Sequence, residues 1–222
     1  MRNCDTNRQE LEPVQSGEPD LIVSRRGLIA ERLLLREFLH RTNNELACAI
    51  GLVSLAARRC ENDEAGTSLK KVVDRLESYA GIQNSLQPPD YSTAIDISTY
   101  IYRLCRAVSR SKLEQQQIEL SLSLHTLIMR SEQCWLLGMI LFELLTNAAR
   151  HAFDGKPGKI HIDIYPTDSS VVCSVRDNGK AALNPTMGRG LSIVQELAAS
   201  LRGTIDSQSG PSGTTTIVRF PH

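Results

Sequence analysis

Apolar residues first recur along the chain with a helical period. From about Leu21 to Arg59, the positions Leu35, Leu39, Thr42, Leu46, Ala49, Val53 and Ala56 advance in steps of four and three, the seam of a bundle or coiled coil. Residues 60–68, CENDEAGTS, break that period with acids, a glycine and a cap-like serine. A second helix follows with Leu69, Val72, Leu76 and Tyr79 on one stripe, and QPPD, Gln87 to Asp90, stops it. Two helices joined by a short loop cannot bury both faces alone. The pattern therefore predicts an α-helical hairpin that completes a four-helix bundle by dimerisation, with packing against the downstream chain as the alternative.

Past Pro89 the pattern changes. ISTYIYRLCRAVSRSK (97–112) reads as a helix, and Ile118 to Leu124 alternates strictly, as a half-buried strand does. Ser131 to Phe153 reads as a long helix. KIHIDIYP (159–166) and SVVCSVRD (170–177) read as strands, Gly188 to Gly203 as a helix opened and closed by glycine, and TTTIVRF (214–220) as a terminal strand. Helices and strands without regular β-α-β alternation predict an α+β two-layer sandwich, with helices on one face of a mixed sheet. The predicted organisation is a flexible polar tail at 1–20, the hairpin at 21–88 and the sandwich at 89–222.

Composition narrows the function. Lys plus Arg and Asp plus Glu balance at 25 each, so net charge gives a polyanion-binding role no support. Aromatics are 5%, too few for single-strand stacking platforms, and no nucleic-acid partner is expected. Cysteines at 4, 48, 60, 105, 134 and 173 show no C-x-x-C or zinc spacing and read as reduced core residues. The N-terminus lacks an apolar signal segment, and the longest apolar run, Trp135 to Leu145, is short and contains Glu143. These features predict a soluble, cytoplasmic chain with no membrane association.

The candidate chemistry starts in the long helix. At ~100° per residue, Glu143, Asn147, Arg150 and His151 share about a third of its circumference, with Leu141, Leu145, Ala148 and Ala152 opposite. Oxygen donors from Asn and Glu suit Mg²⁺, and Arg and His suit phosphate oxygens. A solvated helix face carries similar residues, so this face alone decides nothing. Asp177-Asn178-Gly179 ends a strand, where such a triplet is commonly a turn. GRGLSIV, Gly188 to Val194, opens a helix with glycines that let backbone N–H groups approach a phosphate. Gly213 and a threonine run start the last strand.

Taken in order, Glu-x-x-x-Asn-x-x-Arg-His, Asp-x-Gly, Gly-x-Gly-Leu and a Gly-Thr strand running to proline resemble the ATP-binding domain shared by histidine kinases, gyrase, Hsp90 and MutL, over roughly residues 92–222. The resemblance implies that Asn147 is a Mg²⁺ ligand and that Glu143 orients a metal-bound water or assists proton removal. It places Arg150 and His151 near the phosphates, Asp177 on the adenine amino group and Gly179 close beneath the base. Gly188 and Gly190 would line the phosphate side, and Thr214 or Thr215 would reach adenine through water.

EFLHRTNNEL, Glu37 to Leu46, then gains a meaning. It resembles the E-x-x-H-R-x-x-N motif of the second histidine-kinase dimerisation family, and ELLTNAARHAF resembles that family's asparagine motif. His40 flanks the apolar seam and becomes the candidate phosphoacceptor, since an ordinary histidine is mostly neutral at pH 7. Glu37, one turn back, is the proposed acid that fixes the tautomer, because Arg41 stands where many kinases place it. Asn44 sits where related kinases position water for dephosphorylating the partner. The other histidines at 125, 161 and 222 read as structural or surface residues.

The resemblance implies a homodimeric kinase core using ATP and Mg²⁺, with a response-regulator receiver domain as phosphoryl acceptor and input from another protein or from the N-terminal tail. Ala181 replaces the second glycine of Asp-x-Gly-x-Gly, and the segment from Asp177 to Gly188 is short for a lid. Those departures keep open a phosphotransfer adaptor that does not use ATP. A protein-serine kinase on the same ATP-binding domain is a third reading, which the His40 motif opposes.

Overall fold

The computed structural model describes residues 19–87, 94–180 and 189–222. The expected tail up to residue 18, together with Ala181 and Gly188, lies outside the described residues. Helix α1 spans Pro19–Arg59, so it starts two residues earlier than the apolar period suggests, and α2 spans Asp63–Ser85. The described residues up to Phe38 form one unit and those from Leu39 to His222 the other.

Within the second unit, α1 and α2 make an antiparallel hairpin. Asn62 caps α2 by accepting the Ala65 N–H at 3.0 Å, and Gly66 lies 3.7 Å from the Ala57 carbonyl oxygen, measured to where its Cβ would be. At the other end, the Asn43 side-chain amide donates to Asn84 Oδ1 at 3.0 Å. The predicted seam holds from Leu39 to Val53, whose members are half-buried, and fails at its end: Ala56 is exposed and Ala57 is buried. A straight helix advances 3.6 residues per turn rather than 3.5, so a strict four-three stripe drifts off the contact line. The α2 stripe divides for a related reason. Leu69 and Leu76 face inward, with Val73 and Ala80, while Val72 and Tyr79 are exposed.

Helix α3 (Ile97–Val108) starts at Asp96, whose carboxylate accepts from the Ser98 and Thr99 hydroxyls and the Ser98 N–H. It runs into a π-helical turn, Ser109–Leu113. Strands β1 (Ala94–Asp96) and β3 (Ile128–Arg130) form a small antiparallel pair. The main sheet contains β2 (Ile118–Leu124), β4 (Gly158–Pro166), β5 (Ser170–Asp177), β6 (Thr204–Gly210) and β7 (Gly213–Pro221), in the order β2-β4-β5-β7-β6. Only β2 and β4 run parallel, and the crossover that such a pair requires contains α4, Ser131–His151. The sheet is therefore mixed, as the absence of regular β-α-β alternation along the chain predicts.

One face of the sheet is buried. Ile160, Ile162 and Ile164 of β4, Val171, Cys173 and Val175 of β5, and Val218 and Phe220 of β7 meet the apolar sides of α3, α4 and α5 (Arg189–Ser200). Burial pushes the Cys105 and Cys134 thiols up to about 12, as expected for inert core cysteines. Among the described residues, no helix is long and apolar enough to cross a membrane. The sheet alternation delivers Asp177, at the end of β5, to the helix-covered face beside the start of β7.

Candidate active site

The polar face of α4 carries Glu143 and Asn147 half-buried, with Arg150 and His151 exposed in its last turn. The first turn of α5 lies against this face. A Cβ on Gly190 would stand 3.0 Å from Asn147 Nδ2 and 3.3 Å from both Asn147 Oδ1 and Glu143 Oε2. Glycine thus lets the α5 backbone approach both side chains, and helix N–H groups near that turn are suited to phosphate.

A second cluster forms where the strands end. Asp177 Oδ1 accepts the Gly179 N–H at 2.9 Å and the Thr214 N–H at 3.3 Å. Gly213, at φ 123°, has no room for a side chain, because a Cβ would run into the Asp177 carbonyl oxygen. Gly179 is pressed on the end of α4, where a Cβ would strike the Ala152 carbonyl, and the Lys180 N–H donates to that carbonyl at 2.8 Å. Ala152 therefore ties the Asp177 turn to the helix that carries Asn147.

Sheet register separates the two threonines. Thr215 pairs with Arg176, so the next pair outward sets Thr214 beside Asp177 on the helix face, while Thr215 projects from the opposite face. The Thr214 hydroxyl lies 3.2 Å from that of Ser209. Asn178 is a supporting residue that sequence reasoning missed. Its side chain accepts the Lys159 N–H at 2.7 Å and its own N–H donates to the Lys159 carbonyl at 3.1 Å, which clamps the turn to β4. Nothing in Asp-Asn-Gly distinguishes that clamp from an ordinary turn.

This arrangement fits a metal-bound nucleoside triphosphate. Asp177 offers a fixed carboxylate on the helix face, and Gly190 leaves a cradle that a Cβ would fill. Among the described residues, no three His, Cys, Asp or Glu side chains gather as a metal site. Asn147 and Glu143 are the oxygen donors of this face that could hold Mg²⁺ together with phosphate oxygens.

The hairpin residues lie apart from these clusters. His40, Arg41 and Asn44 are exposed on α1, with His40 one turn before Asn43; Glu37 is also exposed on α1. Near the end of the hairpin, Trp135 Nε1 of α4 donates to the Leu86 carbonyl at 2.8 Å. At 1.5 Å per residue, Trp135 and Asn147 are about 18 Å apart along α4. Of the remaining histidines, His161 is bonded to Ser121 Oγ at 2.8 Å and His125 meets the Tyr165 ring edge-on; His222 is exposed.

Comparison with known proteins agrees with this layout. Residues 37–112 match a family model described as histidine kinase, of the HisKA_2 type, and residues 135–222 match one described as histidine kinase-, DNA gyrase B-, and HSP90-like ATPase. The sensor histidine kinase PdtaS of Mycolicibacterium smegmatis is 27% identical over 201 residues, 87% of this chain and 40% of that protein. Blue-light-activated histidine kinase 1 of Erythrobacter litoralis is 26% identical over 91% of this chain and 56% of its own length. The chain thus spans only about half or less of these relatives. Among solved structures, the histidine kinase domain of the Erythrobacter litoralis EL346 blue-light activated histidine kinase has the same fold, with a TM-score of 0.57, 18% identity and coverage of 80% of this chain and 95% of that one. With one model beginning in the hairpin and the other over the sandwich, the chain belongs to the histidine kinases that join a HisKA_2 region to this ATPase domain.

Proposed function

We propose that the chain is an ATP-dependent protein-histidine kinase that phosphorylates His40 and passes the phosphoryl group to an aspartate of a response-regulator receiver domain. Residues 21–88 serve as its dimerisation and phosphoacceptor hairpin, and 89–222 as its ATP-binding domain, acting in a cytoplasmic homodimer. The observation that carries this reading is the approach of Gly190 to Asn147 and Glu143, opposite a fixed Asp177 on the same side of the sheet.

Asp177 accepts from the adenine amino group, and Thr214, beside it, reaches the base through water. Asn147 and Glu143 hold Mg²⁺, with Arg150 and His151 near the phosphates and the α5 start at Gly190 behind them. Mg-ATP, when bound, supplies the γ-phosphoryl group. His40 attacks with its neutral ring nitrogen, forming the N–P bond as the bond from phosphorus to the ADP oxygen breaks. Glu37, by its spacing on α1, takes the other ring N–H and favours the charged product. Catalysis is mainly positioning and charge neutralisation. Trp135, which bonds the Leu86 carbonyl, stands about 18 Å along α4 from Asn147, which supports a transfer that follows movement of the sandwich or engages another subunit's His40.

Incubation with γ-labelled ATP and Mg²⁺ tests the reading. Acid-labile label lost in His40→Gln and in Asn147→Ala is the expected result. Nucleotide binding without label, combined with phosphate acceptance from a phosphorylated receiver, would instead establish the adaptor.

A further inference from the structure

At the end of the sandwich remote from the nucleotide cluster, the start of α4 and the end of α5 leave a cavity of about 330 Å³ between them. Arg130, Gln133, Arg202 and His222 supply its polar wall, and Leu136 and Pro221 add apolar surface. Glu132 is the one acid of the lining among the described residues, so N–H donors outnumber carboxylates there. Arg130 and Asn147 are about 25 Å apart along α4, which separates this cavity from the proposed metal site.

The first arginine stands at a helix start. Arg130 is the N-cap residue of α4 and gives that helix no side-chain cap. Its Nε–H donates instead to Gln133 Oε1 at 3.5 Å, and both side chains line the cavity. The guanidinium thus adds to the positive end of a 21-residue helix. The second arginine arrives on a strained turn. The Gly203 N–H donates to the Ala198 carbonyl and the Arg202 N–H to the Ala199 carbonyl, both at 2.8 Å, which sets Arg202 at the left-handed position that ends α5. Its φ is 55°, a conformation that glycine adopts freely and that a Cβ resists. Glycine would close this helix with less strain; what arginine adds is a guanidinium in the cavity wall. Among the described residues, neither arginine has a carboxylate within ion-pair distance.

We propose that this cavity binds a small organic anion, with its oxyanion groups on Arg130 and Arg202 and its apolar part against Leu136 and Pro221. Guanidinium groups pair with carboxylate and with phosphate oxygens through parallel N–H bonds, so the shared chemistry is the oxyanion. The site goes beyond the kinase reading and does not depend on it.

Calorimetric titration of the full chain without Mg²⁺ tests the proposal, with citrate as the carboxylate probe and phenyl phosphate as the phosphoryl probe. At least one probe should bind saturably, and the tighter of the two identifies the oxyanion. Arg130→Gln and Arg202→Gln should each weaken it roughly tenfold or more, the loss expected for one charge-assisted hydrogen bond. Saturating ATP should leave the probe's affinity unchanged. Arg202→Gly separates a ligand role from a structural one: it relieves the left-handed backbone, so the melting temperature should hold or rise while probe binding falls as in Arg202→Gln. Absence of saturable binding for both probes overturns the site. Displacement of the probe by ATP also overturns it, because the anion would then sit in the nucleotide cluster. Unchanged affinity in either glutamine variant, or probe binding retained in Arg202→Gly, leaves only general charge attraction and overturns the assignment to these two arginines.

Discussion

Asp177 holds two backbone N–H groups with one oxygen, Oδ1, which separates its structural role from its proposed role toward adenine. Asp177→Asn can keep the Oδ1 acceptor while turning the other oxygen into a donor. Nucleotide affinity should then fall by roughly 1–3 kcal/mol, the cost of opposing a buried donor with a donor, with little loss of thermal stability. Asp177→Ala should lose both, and calorimetric titration alongside thermal unfolding separates the two variants. Gly190→Ala tests the other cluster. Its methyl group would press on Asn147 at 3.0 Å, so nucleotide affinity measured with Mg²⁺ should drop by at least tenfold, on the order of 1.4 kcal/mol, while the sheet remains intact. An unchanged Mg-ATP affinity would show that Asn147 does not hold the metal. The candidate cluster was legible in the sequence because Glu143, Asn147 and Arg150 lie on one helix, where spacing fixes direction. The clamp at Asn178 and the need for glycine at 213 were not, since both depend on which strands become neighbours.

At the scale of elements, α3 depends on its cap. The Asp96 carboxyl is held down to about 2 from 3.8, chiefly by the Ser98 hydroxyl, with Thr99 and the backbone N–H groups of Ser98 and Leu127 adding to it against a desolvation cost. Because the folded pKa lies below the unfolded one, this stabilisation is complete above about pH 4, declines as acid titrates the unfolded chain, and is gone below about pH 2. Asp96→Ala should therefore unfold more easily by about 1–2 kcal/mol at neutral pH, and its difference from the wild type should shrink towards pH 2 in urea titrations. A constant difference across that window would mean that the charge contributes nothing. The long strands were readable because Ile160, Ile162 and Ile164 alternate with polar residues, a period that only a half-buried strand satisfies. Strand β6 was missed because TIDSQSG holds a single large apolar residue, Ile205, on the sheet edge. Strands β1 and β3, three residues each, are too short for any period to register.

At the scale of the molecule, the hairpin has one apolar surface more than its own sandwich covers. Leu52, Leu55 and Val72 are 64%, 44% and 46% exposed, and they belong to the half of the hairpin nearer its connecting turn. The sequence could foresee a surplus face from its double stripe, but not which residues would carry it, since that depends on the drift of the seam. A two-fold dimer would bring this face against its own copy, and each substitution then counts twice. Leu52→Glu removes a side chain whose burial is worth about 1.5–3 kcal/mol per copy and puts two like charges in its place. The dimer dissociation constant should rise by a hundredfold or more, read by sedimentation velocity across a dilution series. Nucleotide affinity should not change, because Leu52 lies on the hairpin and Asp177, Asn147 and Gly190 lie on the sandwich. Labelling of His40 then becomes the informative quantity: loss of label in the monomer means that the phosphoryl group crosses between subunits, and retention means that each sandwich serves its own hairpin. An unaltered dimer in Leu52→Glu would place the subunit contact on a different face and leave Leu52 as an ordinary surface leucine.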